Sequence, residues 1–277
     1  MDEYSCAFNR FGSIFLLYKF SCNKRTVVLS EQLRVWMPYI VAILAVGIYV
    51  VGVIWVINCH VYPRGDGLSL CHAAHRMVTG NFVGMKERGY LFIFPHQFSL
   101  LSVIHAIFTW FGAMNYQVFQ HINAACMPLL FYSGYKIIKL ICDKMGAVIC
   151  YILFFIACLP LFFYVPYVYG EVISITFTMV LMWQVIRFCK TGKKSALLWG
   201  VLAVVIACYV RNNSLVVLIA VGIVMVIHSL KNANFKGFIW ILVMSLMIFG
   251  SQYMVRAYYE KVSGIEVAEG AGVSIPI

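Results

Sequence analysis

The chain has 277 residues, of which 63% are hydrophobic and only 11% are charged. That is too little charge to cover the surface of a water-soluble protein of this length, which excludes a soluble globular protein. The formal net charge is +11, but the basic residues lie in short clusters between long apolar runs. Such clusters are typical of cytoplasmic loops, so the charge does not indicate a nucleic-acid partner. The composition predicts an all-α polytopic membrane protein.

Residues 1–35 are predicted to form a cytoplasmic or interfacial N-terminal segment. They contain five basic residues, and their apolar run Phe15–Phe20 is too short to cross a bilayer and is not followed by a cleavage site. The first predicted span is Trp36–Asn58. Because positive charge is retained on the cytoplasmic side, the upstream basic residues place the N-terminus there.

A large outer loop is predicted over residues 59–116. It contains an apolar segment, Gln97–Gly112, that is about 16 residues long and is interrupted by His105. If this segment crossed the membrane, the lysine-rich residues 136–144 would lie outside. We therefore predict that it is a half-embedded or re-entrant helix, which membrane proteins tolerate where protein or water lines it.

Six further spans complete a transmembrane domain over residues 36–256 with about seven transmembrane helices. They are Gln117–Leu140, Met145–Tyr164, Val172–Phe188, Ala196–Val210, Ser214–His228 and Phe238–Val255. This topology leaves 14 Lys and Arg residues inside and 7 outside, as the positive-inside rule requires. The tail, residues 257–277, is predicted to lie outside as the start of a further loop.

Cysteine and histidine carry weaker signals. Cys59 and Cys71 share the outer loop, so a disulfide between them is one alternative. Four histidines are predicted outside, His60, His72, His75 and His96. A divalent metal is a weak alternative, because a helical HxxH pair without a carboxylate is an incomplete motif. No cofactor is predicted, since the chain has no Walker loop, dinucleotide fingerprint or nucleophile elbow.

Three charged residues of the outer face are candidates for chemistry, and each has a structural alternative. Asp66 precedes a helical pattern and is either its N-cap or a general base. Glu171 lies at the outer mouth between two spans and is either a solvated boundary charge or a functional acid. Arg211 is at the outer end of a span, where it either snorkels to lipid headgroups or clamps a phosphate.

The segments that contain these residues resemble a known superfamily. They read GDGLSLCHAAHRMVTGNF, RGYLFIFPHQFSLL, FQHINA, YGEVISITF and RNNSLVVLIA, and they span most of residues 60–220. Their order is similar to that of the multispanning glycosyltransferases that use polyprenyl-phosphate-linked sugars (the GT-C superfamily). Within it, the chain resembles bacterial relatives of the protein O-mannosyltransferases and of the lipid A aminoarabinose transferases.

The resemblance implies an inverting sugar transfer from a polyprenyl-phosphate donor to an acceptor hydroxyl of unknown identity, outside a bacterial plasma membrane. It implies that Asp66 is the catalytic base, that Glu171 assists it, and that Arg211 holds the lipid phosphate. The remaining donor-binding residues that it implies are Tyr90, His96, Gln97, Tyr169 and Asn212.

The chain departs from the superfamily at two points. Gly67 follows Asp66 where members often carry a second acid or a glutamine, which leaves a lone carboxylate. Members also usually have ten or more spans, so the chain is expected to be cut short after its seventh.

Two other classes of membrane protein are alternatives to the transferase. A transporter or flippase is expected to have charges within its spans or matching broken helices, whereas here the polar groups gather at one outer face. A seven-helix receptor has its N-terminus outside, opposite to the distribution of Lys and Arg.

Overall fold

The computed structural model describes residues 24–232 and 236–267. Over these residues the regular structure is entirely helical, which confirms the predicted all-α class. The α-helices are α1 (Lys24–Cys59), α2 (Asp66–Val78), α3 (Tyr90–Ile93), α4 (Phe98–Phe111), α5 (Gln117–Ile141), α6 (Met145–Ala157), α7 (Leu159–Phe163), α8 (Glu171–Thr191), α9 (Lys194–Val210), α10 (Leu215–Lys231) and α11 (Lys236–Ser263). Short 3-10 turns are found at Val83–Met85, Pro95–Gln97 and Asn212–Ser214.

The chain divides into two compact units within α1. The first unit is Met1–Leu44, whose described part is the N-terminal portion of α1. The second unit is Ala45–Ile277 and contains all the other helices.

Among residues 24–232 and 236–267, five single helical segments are long and apolar enough to cross a membrane, as expected for a multi-pass membrane protein. They are Gln32–Cys59, Gln117–Ile141, Glu171–Thr191, Asn212–Lys231 and Gly237–Ser263. Two other apolar helices, α6 and α9, are shorter. Their 13 and 17 residues extend about 20 and 25 Å, less than the roughly 30 Å of a hydrocarbon core.

The predicted span Met145–Tyr164 is not one helix. It breaks at Cys158, and α7 begins at Leu159. Pro160 explains the break, since it has no N–H to donate to the carbonyl of Ile156 and its ring crowds the preceding turn.

The main hydrophobic core of the second unit lies among α8, α9, α10 and α11. Its buried side chains include Leu181 of α8, Cys208 of α9, Met225 of α10 and Met244 of α11. A further interface joins α5 to α8. The starts of α8 and α10 and the end of α9 are therefore fixed relative to one another.

The segment predicted as half-embedded contains α4, which is 14 residues long. The chain bends by 102° between residues 83–93 and residues 95–111. α4 packs against α2 and α11. α11 also continues to Ser263, beyond the predicted end at Val255. The extra turns pack on α4, where the buried Tyr259 has its Oη 2.8 Å from Nδ1 of His105.

Candidate functional site

Asp66 is the first residue of α2, but it does not cap the helix. The N-cap is Gly65, with φ of +54°, and no side chain provides a capping hydrogen bond. The prediction that Asp66 is the N-cap is therefore wrong, because the chain enters α2 through a left-handed conformation that favours glycine. The Asp66 carboxylate instead accepts a hydrogen bond at Oδ2 from Tyr169 Oη at 3.2 Å.

Tyr169 connects three of the predicted site residues. Its hydroxyl accepts a hydrogen bond from Gln97 Nε2 at 2.7 Å while it donates to Asp66. The Cζ atom of Arg211 lies 4.8 Å from the centre of its ring, a cation–π contact. Burial and the negative charge of Asp66 raise the pKa of Tyr169. The phenol is therefore protonated at neutral pH and can act as the donor to Asp66.

Tyr90 is a second tyrosine whose phenol interacts with the Asp66 carboxylate. Burial raises the pKa of the Tyr90 phenol, and the charge of Asp66 raises it further. The phenols of Tyr90 and Tyr169 also interact with each other. Both phenols are therefore protonated at neutral pH beside the Asp66 carboxylate, which is itself exposed.

Glu171 and Arg211 form an ion pair between two helix ends. Glu171 is the first residue of α8, Arg211 directly follows α9, and Arg211 Nη1 donates to Glu171 Oε1. The side chains are 29% and 25% exposed, so neither is a lone surface charge. Glu171 Oε2 is buried and has no hydrogen-bond partner among residues 24–232 and 236–267. The pair therefore retains an unused acceptor on the carboxylate.

Two buried amides of α5, which the sequence-based prediction missed, tie together the loops that lead to Asp66 and to Tyr169. Gln120 Nε2 donates to the carbonyls of Val61 (2.9 Å) and Pro166 (2.7 Å). Asn123 Nδ2 donates to two carbonyls of the 165–167 loop at 2.9 and 2.7 Å. The signal was present in the sequence, because two amides three residues apart lie on one face of the helix predicted over Gln117–Leu140. Their hydrogen bonds fix the chain on both sides of the Asp66–Tyr169 contact.

Gly67 explains why Asp66 is a lone carboxylate. A Cβ atom at position 67 would lie 2.6 Å from the carbonyl oxygen of Val168. No side chain fits at that distance, so a second acid after Asp66 is incompatible with this approach of α2 to the 165–170 loop. Glycine at position 67 is therefore a requirement of this packing.

A cavity of about 320 Å³ with both apolar and polar lining residues adjoins this cluster. Its polar lining residues are His96, Ser99, Asn212, Gln252, Tyr253 and Arg256. Asn212 Oδ1 accepts a hydrogen bond from Gln252 Nε2 at 2.7 Å. Arg256 is paired with Glu260 at 3.2 Å, so this cation is already balanced. The lining thus offers amide, imidazole and hydroxyl groups, which suit a neutral ligand rich in hydroxyls.

Neither the disulfide nor the metal alternative gains support. Cys59 and Cys71 are both free thiols, and Cys71 is buried. Over the ranges that the structure describes, no three His, Cys, Asp or Glu side chains come close enough to hold a metal ion.

The residues predicted for the site form one neighbourhood, and they come from four separate parts of the sequence. Asp66, Tyr169 and Gln97 form a hydrogen-bonded chain, which Tyr169 joins to Arg211 and Glu171. Tyr90 borders Asp66, whereas His96 and Asn212 line the cavity. Comparisons of the chain with protein-family models, with curated proteins and with solved structures found no match.

Proposed function

We propose that this protein is a membrane glycosyltransferase that moves a sugar from a polyprenyl-phosphate donor to an acceptor hydroxyl. The observation that carries the proposal is the contact chain from Asp66 through Tyr169 to the Arg211–Glu171 pair. In this chain of contacts, the candidate base and the candidate phosphate-binding cation both contact the aromatic side chain of Tyr169. A cavity whose lining includes amide, imidazole and hydroxyl groups lies beside them.

In the proposed reaction Asp66 takes the proton of the acceptor hydroxyl. The acceptor oxygen then forms a bond to the anomeric carbon of the sugar. The bond from that carbon to the phosphate oxygen breaks on the opposite face, and its electron pair leaves with the polyprenyl phosphate. The configuration at the anomeric carbon is inverted. A positioned general base contributes roughly 10²- to 10⁴-fold to such a rate.

Arg211 would stabilise the departing phosphate. Its guanidinium has five N–H donors, of which one contacts Glu171. The others remain able to reach an anion, and the ring of Tyr169 and the carboxylate of Glu171 fix the plane of the fork. Charge-assisted hydrogen bonds aimed at a developing charge are a main source of catalysis in such sites.

Seven membrane passages with a half-embedded α4 fit this proposal. α6 together with α7 would cross the membrane as one short span, and α9 would cross as another. Local thinning of the bilayer accommodates the mismatch between their length and the hydrocarbon thickness. α4 would lie along the interface, because its 14 residues cover only about 21 Å. The resulting topology keeps the N-terminus in the cytoplasm and places Asp66, Glu171 and Arg211 outside the cell membrane.

The test is transfer by membranes that contain the full chain. Radiolabelled polyprenyl-phosphate sugars are supplied, and release of label from the lipid into any acceptor fraction is measured for the wild type and for Asp66→Asn. We expect Asp66→Asn to lose transfer by about 10²-fold or more. Glu87→Gln, an exposed carboxylate of the same loop, is the control and should transfer like the wild type. Full transfer by Asp66→Asn would refute the assignment of the base.

A transporter or flippase is the second candidate, and the break between α6 and α7 at Cys158 is the observation that favours it. Broken helices are common in transporters. The two candidates predict different products. A flippase moves an intact lipid-linked sugar across the bilayer of proteoliposomes, whereas a transferase cleaves the donor and releases polyprenyl phosphate.

A further inference from the structure

A second cavity lies at the end of the helices farthest from the candidate site. It has a volume of about 550 Å³ and opens between the C-terminal parts of α5 and α8. Arg187, which lines it, is 16 residues beyond Glu171 on α8, and this corresponds to about 24 Å along the helix. Its volume falls within the range of about 300–1,000 Å³ usual for ligand pockets. It is therefore a separate pocket and not an extension of the candidate site.

The lining of this pocket is cationic and aromatic. Its basic side chains are Lys136, Lys139 and Arg187, and its carboxylate is Asp143. The lining therefore has two more positive than negative charges. This charge pattern favours an anion.

An aromatic corner holds one of the cations in the pocket. Tyr132 and Trp183 meet edge to face, with ring centres 5.7 Å apart and planes at 88°. Lys136 Nζ lies 5.3 Å from the centre of the Tyr132 ring and 6.0 Å from that of Trp183. These cation–π contacts join α5 to α8 and keep the ammonium between the two helices. The cation is thus positioned before any anion binds.

A lysine from outside the pocket serves one helix-end carbonyl beside it. Cations commonly stabilise the exposed carbonyls at helix C-termini. Here Lys190, which does not line the pocket, donates to the carbonyl of Leu140 in the last turn of α5. The Leu140 carbonyl thus has a partner from outside the pocket.

The position of the pocket identifies the anion's source. α5 and α8 are both candidate membrane spans, and the pocket lies where their apolar stretches end. Phospholipid phosphates occupy that level of a bilayer, next to the Trp and Tyr side chains of the interface. We propose that this pocket binds the headgroup of an anionic phospholipid, with its phosphate among Lys136, Lys139 and Arg187. The proposal requires that α5 and α8 cross the membrane, and it does not depend on the transferase activity.

Lipid retention by the purified full-length protein tests the proposal. The protein is placed in nanodiscs of phosphatidylcholine mixed with phosphatidylglycerol. The lipid that stays bound after transfer into detergent is then counted by native mass spectrometry. We expect retained phosphatidylglycerol to exceed phosphatidylcholine by about tenfold, and Lys136→Gln/Arg187→Gln to remove most of that preference.

The control is a double variant with the same loss of charge at the same end of the helices. Lys193→Gln/Lys231→Gln removes two exposed cations that do not line the pocket, and it should keep the preference. An equal loss of the phosphatidylglycerol preference in this control would show that general electrostatic attraction retains the lipid. That result would overturn the proposed binding pocket. Equal retention of both lipids by the wild type would also overturn it. Displacement of bound lipid by millimolar inorganic phosphate would indicate that the pocket binds a soluble phosphate (a millimolar Kd corresponds to roughly 4 kcal/mol). That outcome would overturn the lipid headgroup as the source of the anion.

Discussion

The two ends of α8 differ in how their charged side chains are arranged. At the N-terminal end, Glu171 pairs with Arg211, and Asp66 accepts a hydrogen bond from Tyr169. At the C-terminal end, the cations Lys136, Lys139 and Arg187 share one pocket with the carboxylate of Asp143.

The difference concerns what each end requires of its side chains. At the N-terminal end each group has a particular partner atom on another segment, so geometry matters as much as charge. At the C-terminal end several cations share one space, so a change that keeps the charge should be tolerated. Substitutions that preserve charge while altering geometry therefore separate the two ends.

The largest effect is expected in a labelling experiment that tests which side of the membrane each loop occupies, because an impermeant reagent either reaches a cysteine or does not. Cys59 and Cys142 are exposed free thiols near opposite ends of the helices. In single-cysteine variants that retain one of them, an impermeant maleimide added to intact cells should label Cys59 alone. Cys142 should react only after the membrane is permeabilised. Labelling of Cys142 from outside would invert the topology and remove Asp66 from the outer face.

Next in size is the exchange of arginine for lysine. Arg211→Lys keeps the charge but loses the planar fork, so donor binding should weaken by about 1.5–3 kcal/mol, roughly 10- to 100-fold. Binding of a polyprenyl-phosphate sugar to the purified protein measures it. Arg187→Lys, at the other end of α8, is the matched control and should bind the donor like the wild type. If both variants behave alike, Arg211 is only an anchor at the membrane interface.

A smaller effect is expected from the close approach at Gly67. Gly67→Ala would put a Cβ atom 2.6 Å from the Val168 carbonyl oxygen, so α2 must shift. Overpacking of this kind costs about 1–3 kcal/mol of unfolding free energy. Thermal unfolding in detergent should show a lower midpoint for Gly67→Ala. Gly222→Ala has nothing within 4 Å of the added atom and should not lower it.

The sequence predicted the helices better than it predicted their contacts. Hydrophobic length and basic clusters located Gln117–Leu140 and Val172–Phe188 to within a few residues, because burial in lipid depends on composition alone. The break at Cys158 and the continuation of α11 to Ser263 were missed. The first depends on the proline at position 160, and the second depends on packing against α4.

The candidate site shows the same limit. Asp66, Glu171 and Arg211 were identifiable because ionisable residues are rare in this chain, and a rare charge at a helix end is visible in the sequence. The contacts that join them were not visible. Tyr169 is one of 17 tyrosines, and only the fold shows that it touches both Asp66 and Arg211.

The smallest expected effect concerns the role of Tyr169, for which two interpretations differ. The superfamily resemblance implies that Tyr169 and Gln97 bind the donor. The geometry supports a positioning role instead, since the Tyr169 hydroxyl is taken up by hydrogen bonds with Asp66 and Gln97. Removal of the hydroxyl alone separates the two roles, because the aromatic ring beside Arg211 is retained.

Tyr169→Phe should lower kcat by about 2- to 10-fold and leave the KM for the donor unchanged, since a neutral hydrogen bond contributes about 0.5–1.5 kcal/mol. The partly buried Gln97 amide loses its acceptor at the same time, so Gln97→Leu should add little to the effect of Tyr169→Phe. Tyr164→Phe alters an exposed tyrosine of the same loop and should match the wild type. Steady-state kinetics with the lipid-linked donor measures kcat and KM for each of these variants. A raised KM with constant kcat would instead assign the Tyr169 hydroxyl to donor binding.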